Sequence, residues 1–194
     1  PRVNILPPGP GVGGHCIAVD PWFIVHGAPE QTPLIQTARG VNDAKIHHAI
    51  TRAAALVEAH PAARVACLGL AFKANLDPFR VRPAPVVAAL EGQLNLPRPA
   101  GLVAATLARR FGNRITVVEP YAAELPREFE GTGATLIDID TALESCDVLI
   151  VLVDHDVFRS VPLAERAGKA VYDTRGIWPD QPLASEPETL RKAG

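Results

Sequence analysis

Two hydrophobic rhythms run along the chain, and they meet near Pro61. From Leu34 the apolar positions fall at Leu34, Ala38, Val41, Ile46, Ile50, Ala53, Leu56 and Val57, the three-to-four spacing of one helix face. The pattern predicts a single helix over residues 34–60, about 40 Å long at 1.5 Å per residue. Gly40 lowers its helix propensity, and either close packing or a kink would account for that residue. Ahead of this helix, residues 1–21 read as an irregular loop. Asp20 is the expected N-cap, and Pro21 the first residue, of a short helix through Trp22, Phe23 and Ile24.

Beyond Pro61, short apolar runs alternate with helical stretches. Residues 64–70, 115–118, 135–139, 148–153 and 170–173 read as strands. Residues 83–91, 102–111 and 141–146 read as helices, and residues 94–99 as a proline-rich connection. Strands that are apolar on both faces need cover on both faces. The expected fold class is therefore α/β: a Rossmann-like parallel sheet with helices on both faces, preceded by the long helix and a glycine-rich loop. Residues 1–60 form the loop-and-helix part in this reading, and residues 61–194 the ligand-binding Rossmann-like domain. The tail from Pro179 is expected to be loosely ordered.

Composition narrows the function classes. With 47% hydrophobic residues in 194, the chain can fill a core. A net charge of −2 gives no electrostatic case for nucleic acid or an anionic membrane. The longest apolar runs are strand-sized, far short of a membrane span. The three cysteines, Cys16, Cys67 and Cys146, are odd in number and widely spaced. They point to a reducing compartment and to neither a disulfide framework nor a metal site, so a cytoplasmic protein is expected. The chain has no methionine and starts with proline, as a part of a longer protein would.

The richest chemistry lies at Gly9-Pro10-Gly11-Val12-Gly13-Gly14-His15-Cys16, with Asp20 four residues past the cysteine. A flexible loop that brings a thiol beside a carboxylate is a nucleophile layout. A tight turn followed by a buried cysteine is the structural alternative. Gly9, Gly11 and Gly14 also fit G-x-G-x-x-G, but Pro7-Pro8 precede them and Asp20-Pro21 interrupt the stretch after them. The strand-then-long-helix context of a dinucleotide fingerprint is missing. Elsewhere, polar groups gather at expected strand ends: Phe72-Lys73, Glu119-Pro120, Asp154-His155 and Asp173 with Arg175. These are the ends at which doubly wound sheets hold ligands. Lys73 is a point charge and Arg175 a fork, both suited to phosphate. Cys67 and Cys146 read as core residues. His15 reads as a loop-packing or ligand contact more than a base, and the neighbouring His47 and His48 do not share a helix face.

Residues 8–24 (PGPGVGGHCIAVDPWFI) resemble the catalytic-cysteine segment of the UDP-glucose/GDP-mannose dehydrogenase family. The agreement continues in order through residues 38–45 (ARGVNDAK), 69–73 (GLAFK), Val118-Glu119-Pro120, Val153-Asp154-His155 and Asp173-Thr174-Arg175-Gly176. The resemblance implies the C-terminal half of an NAD-dependent UDP-sugar 6-dehydrogenase, without its N-terminal NAD-binding domain. Such enzymes turn a primary alcohol into a carboxylate for bacterial surface polysaccharide. Cys16 would carry the thiohemiacetal and thioester, and Asp20 would orient or activate water. Pro10, Gly11, Gly13, Phe72, Lys73 and Arg175 would bind the sugar nucleotide, Arg2 would reach a neighbouring subunit's ligand, and Arg80 would approach the NAD. UDP-N-acetylmannosamine is the expected substrate, with UDP-glucose or UDP-N-acetylglucosamine as alternatives. A homodimer about the long helix is the expected assembly. The sequence departs from the family where Asp-Asp-x-Arg-x-Ser-Pro reads Asp77-Pro78-Phe79-Arg80-Val81-Arg82-Pro83, because Pro78 removes a backbone donor. The rival readings are a noncatalytic UDP-binding or dimerisation module and a cysteine hydrolase. The hydrolase would need a histidine base that no motif places beside Cys16.

Overall fold

Five short strands pair as one sheet with every neighbour parallel: β1 (Val65–Leu68), β2 (Ile115–Val118), β3 (Thr135–Leu136), β4 (Val148–Val151) and β5 (Ala170–Asp173). Their order across the sheet is β3-β2-β1-β4-β5. The structure is a computed structural model, and it describes residues 7–71, 73–75 and 98–180. Val65 lies opposite Ile115 on one side and Val148 on the other, so Cys67 sits between Val117 and Ile150.

Side chains alternate across the pleat, and each set enters a different core. Val65, Cys67, Ile115, Val117, Val148 and Ile150 pack with the helix residues Ala53, Val57, Val103 and Leu107. Ala66, Leu68, Leu149, Val151 and Val171 pack on the other face with Ala142, Phe158 and Trp178. Two covered faces explain why β1, β2 and β4 are buried at every position.

The helices are α1 (His15–Gly27), α2 (Pro33–Ala59), α3 (Pro99–Phe111), α4 (Ile139–Ser145), α5 (Asp156–Arg159) and α6 (Leu163–Arg166). Proline opens both α2 and α3, where its missing N–H costs no hydrogen bond. The far end of α2 is closed by Arg114, which donates to the carbonyls of Val57, His60 and Ala63 at 3.2, 2.6 and 3.2 Å. These carbonyls lie where the i to i+4 ladder of the helix runs out. The second half of α2 lies on the sheet, with Ala53, Ala54, Leu56 and Val57 buried.

The α/β expectation holds, while several boundaries move. The long helix runs one residue earlier at each end than the pattern predicts. The first helix does not start at Asp20-Pro21: it starts at His15 and carries Pro21 in its interior. Gly14, at φ 101, turns the chain into the helix with no side-chain cap, so the usual start signal is absent. Residues 15–20, expected as loop, are therefore helical, and Cys16 stands in the first turn. The third strand stops at Leu136, because the Asp138 side chain accepts from the Thr141 amide at 2.8 Å and opens α4 at Ile139. The fourth strand stops at Val151, where the amides of Leu152 and Val153 both bend onto the Leu68 carbonyl. Helix α3 begins at Pro99, inside the expected connection. Among the described residues nothing outside the helix's own backbone lies within 4 Å of the position a Cβ on Gly40 would take, so packing against them does not explain that glycine. The helix expected at 83–91 and most of the expected loose tail fall outside the described residues.

Candidate functional site

The chain leaves β1 toward β2 on one side and returns to build β4 and β5 on the other. Ligands of open parallel sheets lie in the crevice this reversal creates at the strands' carboxyl ends. Two backbones meet closely there. Gly69 has φ +94, and a Cβ on it would overlap the side chain of Val153, so only glycine lets β1 and β4 end side by side. Pro10, Gly11, Ala71, Pro99, Asp154 and Arg175 line a cleft at this point. The glycine loop, the start of α3 and the ends of three strands thus converge.

Arg175 is held from both ends. Asp173 at the tip of β5 accepts the amides of Arg175 and Gly176 through Oδ1, at 2.9 and 2.8 Å, and that of Trp178 through Oδ2 at 2.9 Å. The Arg175 guanidinium donates to Asp154 Oδ1 at 2.7 Å, while Arg159 donates to Asp154 Oδ2 at 2.6 Å. A Cβ on Gly9 would collide with the Arg175 guanidinium, so the loop rests directly on this arginine. The loop's other anchor is Asn42 on α2. Its Oδ1 accepts the Val12 amide at 2.7 Å, and its Nδ2 donates to the Val12 carbonyl at 3.1 Å.

Burial works against the charge on Asp154, but the Arg175 charge and the Arg159 hydrogen bond outweigh it. Its carboxyl is held below the usual range. A carboxylate whose folded pKa is lowered adds stability above its ordinary value near pH 4, and that stability is lost as the pH falls toward the lowered value. Asp154→Asn should therefore be less stable than the parent at pH 7. The gap should close as the pH drops below about 4. Melting temperatures measured from pH 7 down to pH 3 check this, and a gap that stays constant contradicts it.

A second constellation joins β1, β2 and the turn after β4. Glu119 Oε2 accepts the amides of Leu70 and Ala71 at 2.7 and 3.2 Å. Its Oε1 accepts the Tyr121 amide at 3.3 Å and lies 3.3 Å from His155 Nε2, an ion-pair distance without hydrogen-bond alignment. His155 Nδ1 accepts the Asn75 amide at 2.9 Å, which puts the proton of the neutral ring on Nε2. Both side chains are fully buried.

The structure brings Pro10, Gly11 and Arg175 into one cleft, with Gly13 in the same loop. Cys16 and Asp20 are exposed on α1 at i and i+4, a spacing that makes neighbours on a helix surface, although neither lines the cleft. Lys73 is exposed on the loop after β1. Arg2, Phe72 and Arg80 lie outside the described residues, as does the side chain of His15. Cys67 and Cys146 are buried, and burial, with Cys146 adding to it, pushes the Cys67 thiol up to about 12, which leaves it inert. Glu119 and His155 carried a sequence signal as strand-end groups. Asn42 lay in the family-like run 38–45 with no role attached to it, and Asn75 carried no signal beyond the tolerance of asparagine for φ above zero; it sits at φ 58. Among the described residues no group of three or more His, Cys, Asp or Glu could hold a metal ion, and no helix is long and apolar enough to cross a membrane.

A parallel sheet of this order, with a clamped arginine and a glycine loop at its switch point, defines a Rossmann-like α/β protein. Residues 99–180 match the UDP-binding domain of the UDP-glucose/GDP-mannose dehydrogenase family, and residues 1–44 match that family's central domain. The chain belongs to this family. It is 43% identical over 185 residues to an NDP-N-acetyl-D-galactosaminuronic acid dehydrogenase of Ralstonia solanacearum, covering 95% of this chain and 40% of the relative. It is 44% identical over 186 residues to a UDP-N-acetyl-D-mannosamine dehydrogenase of Salmonella typhi, covering 92% and 40%. Among solved structures, a UDP-N-acetyl-D-mannosamine dehydrogenase of Pyrococcus horikoshii superimposes with a TM-score of 0.64 at 25% identity, over 96% of this chain and 39% of the other. The chain thus spans about two fifths of the length of these relatives.

Proposed function

We propose that this chain supplies the sugar-nucleotide-binding and cysteine-bearing part of an NAD-dependent UDP-N-acetyl-D-mannosamine 6-dehydrogenase serving bacterial surface polysaccharide synthesis in the cytoplasm. The observation that carries this reading is Arg175, presented at the switch point, oriented by Asp154 and touching the glycine loop. Its planar fork suits a diphosphate, and Lys73 adds a mobile point charge from the loop after β1. Pro10, Gly11 and Gly13 let the ligand approach the backbone, while Phe72 and a partner subunit's Arg2 complete the sugar-nucleotide contacts. The division near residue 60, between a loop-and-helix part and a UDP-sugar domain, belongs to the same proposal.

The reaction asks two things of this chain. The Cys16 thiolate adds to the carbonyl carbon of the aldehyde-level sugar, forming a carbon–sulfur bond. That carbon would then give up a hydride, the oxidation a bound nicotinamide would supply, and the thioester left behind is attacked by water, so that the carbon–sulfur bond breaks and the acid and the thiol are released. The first turn of α1, whose amides have no intrahelical acceptor, holds Cys16, which suits negative charge developing there. Asp20, one turn further on, would orient the water.

The family implies a nicotinamide cofactor, yet the described residues offer its pyrophosphate no seat. In a Rossmann half the pyrophosphate lies on the turn after the first strand. Here the amides of Leu70 and Ala71 already point at Glu119. Arg80, the expected contact on the NAD side, is outside the described residues, and no step through the cofactor is assigned to this chain.

Residues 1–194 should therefore bind UDP and not NAD. At a UDP concentration 100 times its Kd, linkage adds about 2.7 kcal/mol, or roughly 5–10 °C in Tm for a chain of this size. NAD should leave the Tm unchanged, and no NADH should form from UDP-sugar. Equal shifts with NAD, or none with UDP, would refute the reading.

Assembly follows from what the chain leaves uncovered. Leu34 is 80% exposed, Val41 66% and Phe23 72%, all on α1 and α2, whereas Ile50 packs partly against the chain's own core. A large exposed apolar face calls for a partner. We expect a homodimer through this face, so Val41→Glu should shift the species seen by sedimentation from dimer to monomer. A parent chain that is monomeric at micromolar concentration would contradict it.

A further inference from the structure

The loop leaving β1 is fastened at both ends by buried side chains with no role in the chemistry above. At its start the Leu70 and Ala71 amides are held by Glu119. At its end the Asn75 amide is held by His155 Nδ1. Lys73 stands exposed between the two anchors. We propose that Glu119 and His155 brace this loop, and that His155 is a positioning residue setting where Lys73 meets the ligand's diphosphate. The proposal rests on the role given to Lys73 above.

Burying a carboxylate and an imidazole is costly unless their polar atoms are engaged. Glu119 spends its oxygens on three backbone amides and faces the imidazole, and the imidazole spends Nδ1 on a fourth amide. The ring is itself wedged. Tyr121 lies at 5.2 Å between centroids with a 43° tilt, and Phe158 lies edge-on at 5.2 Å. A ring fixed in this way cannot swing to follow the loop, so the loop must adapt to the ring.

Asn75, next to this anchor, has φ at 58, a left-handed conformation that asparagine adopts more readily than most side chains. Its Oδ1 accepts from the Asp156 amide at 3.0 Å and the Tyr121 hydroxyl at 3.4 Å, and its Nδ2 donates to Asp156 Oδ2 at 2.8 Å. Lysine has a flexible four-carbon stem, so its useful reach depends on where its backbone stands. A braced loop spares the ligand the entropy of ordering that backbone on binding.

The test is a double-mutant cycle read as UDP affinity by calorimetry on residues 1–194, with each variant held below its own Tm. Lys73→Ala should weaken UDP binding about tenfold and His155→Leu about three- to tenfold, never more than Lys73→Ala. The double variant should be no weaker than Lys73→Ala within about twofold, since a brace acts only through the residue it places. His155→Asn keeps an acceptor for the Asn75 amide and should recover most of the loss. If His155→Leu does not fold, His155→Phe, which keeps a ring between Tyr121 and Phe158 but offers no acceptor to the Asn75 amide, replaces it with the same expectations. Parental affinity in His155→Leu or His155→Phe beside a weakened Lys73→Ala overturns the brace alone. Additive losses, or no rescue by asparagine, also overturn it and leave His155 a structural staple. Parental affinity in Lys73→Ala removes the role of Lys73 and the brace together.

Discussion

Replacing Arg175 with alanine should weaken UDP binding by about 1.5–3 kcal/mol, or roughly 10- to 150-fold. The guanidinium side chain is only 20% exposed, and Asp154 and the turn at Asp173 hold it in place. A ligand oxyanion would thus meet a donor that is already oriented and partly dried, the setting in which charge-assisted hydrogen bonds are strongest. The variant would also leave Asp154 paired with Arg159 alone and take away the surface on which Gly9 rests. Arg175→Lys should recover only part of the loss, because an ammonium cannot serve two phosphate oxygens in a fork. Lys73→Ala should fall at the weaker end of the range, since Lys73 is exposed. Calorimetric titration with UDP decides the matter. Parental affinity in both alanine variants would make these residues ordinary solvated charges.

The second large effect belongs to Cys16, in the complete enzyme that contains this chain. Cys16→Ser should lower formation of the sugar acid by on the order of 10⁴-fold, the scale of losing a nucleophile. UDP affinity should stay within about twofold, because Cys16 does not line the cleft that holds Arg175. Serine keeps the shape but is not a comparable nucleophile near neutral pH, and an ester would be harder to release than a thioester. Uronic acid made at near the parental rate by Cys16→Ser would rule out the thioester route. A matching collapse of UDP binding would reassign the residue to ligand contact.

The elements legible in the sequence are those whose signal is local. β1 and β4 are uninterrupted apolar runs because both faces are covered, β2 is broken only by Thr116, and α2 shows its periodicity over 27 residues. The start of α1 was not legible. Its N-cap is a glycine with no side-chain hydrogen bond, while Asp20-Pro21 imitates a helix start well inside the real one. That shift changes the chemistry, because it turns Cys16 and Asp20 from loop neighbours into an i, i+4 pair on one helix surface.

Residue chemistry along the chain determined that this is an α/β protein, that a thiol and a carboxylate lie four apart, and that charged groups sit at strand ends. Hydrophobic period, glycine content and side-chain type act over a few residues, so they survive in a linear reading. Only the tertiary structure decided that the ends of β1 and β4 are neighbours and that Asn42 grips the loop 30 residues before it. It alone decided that Glu119, Asn75 and His155 close into one brace. Those bonds join residues 48 to 80 positions apart, and the sheet order that brings them together depends on which buried strands pair. Strands that are equally apolar carry no local mark of their partner.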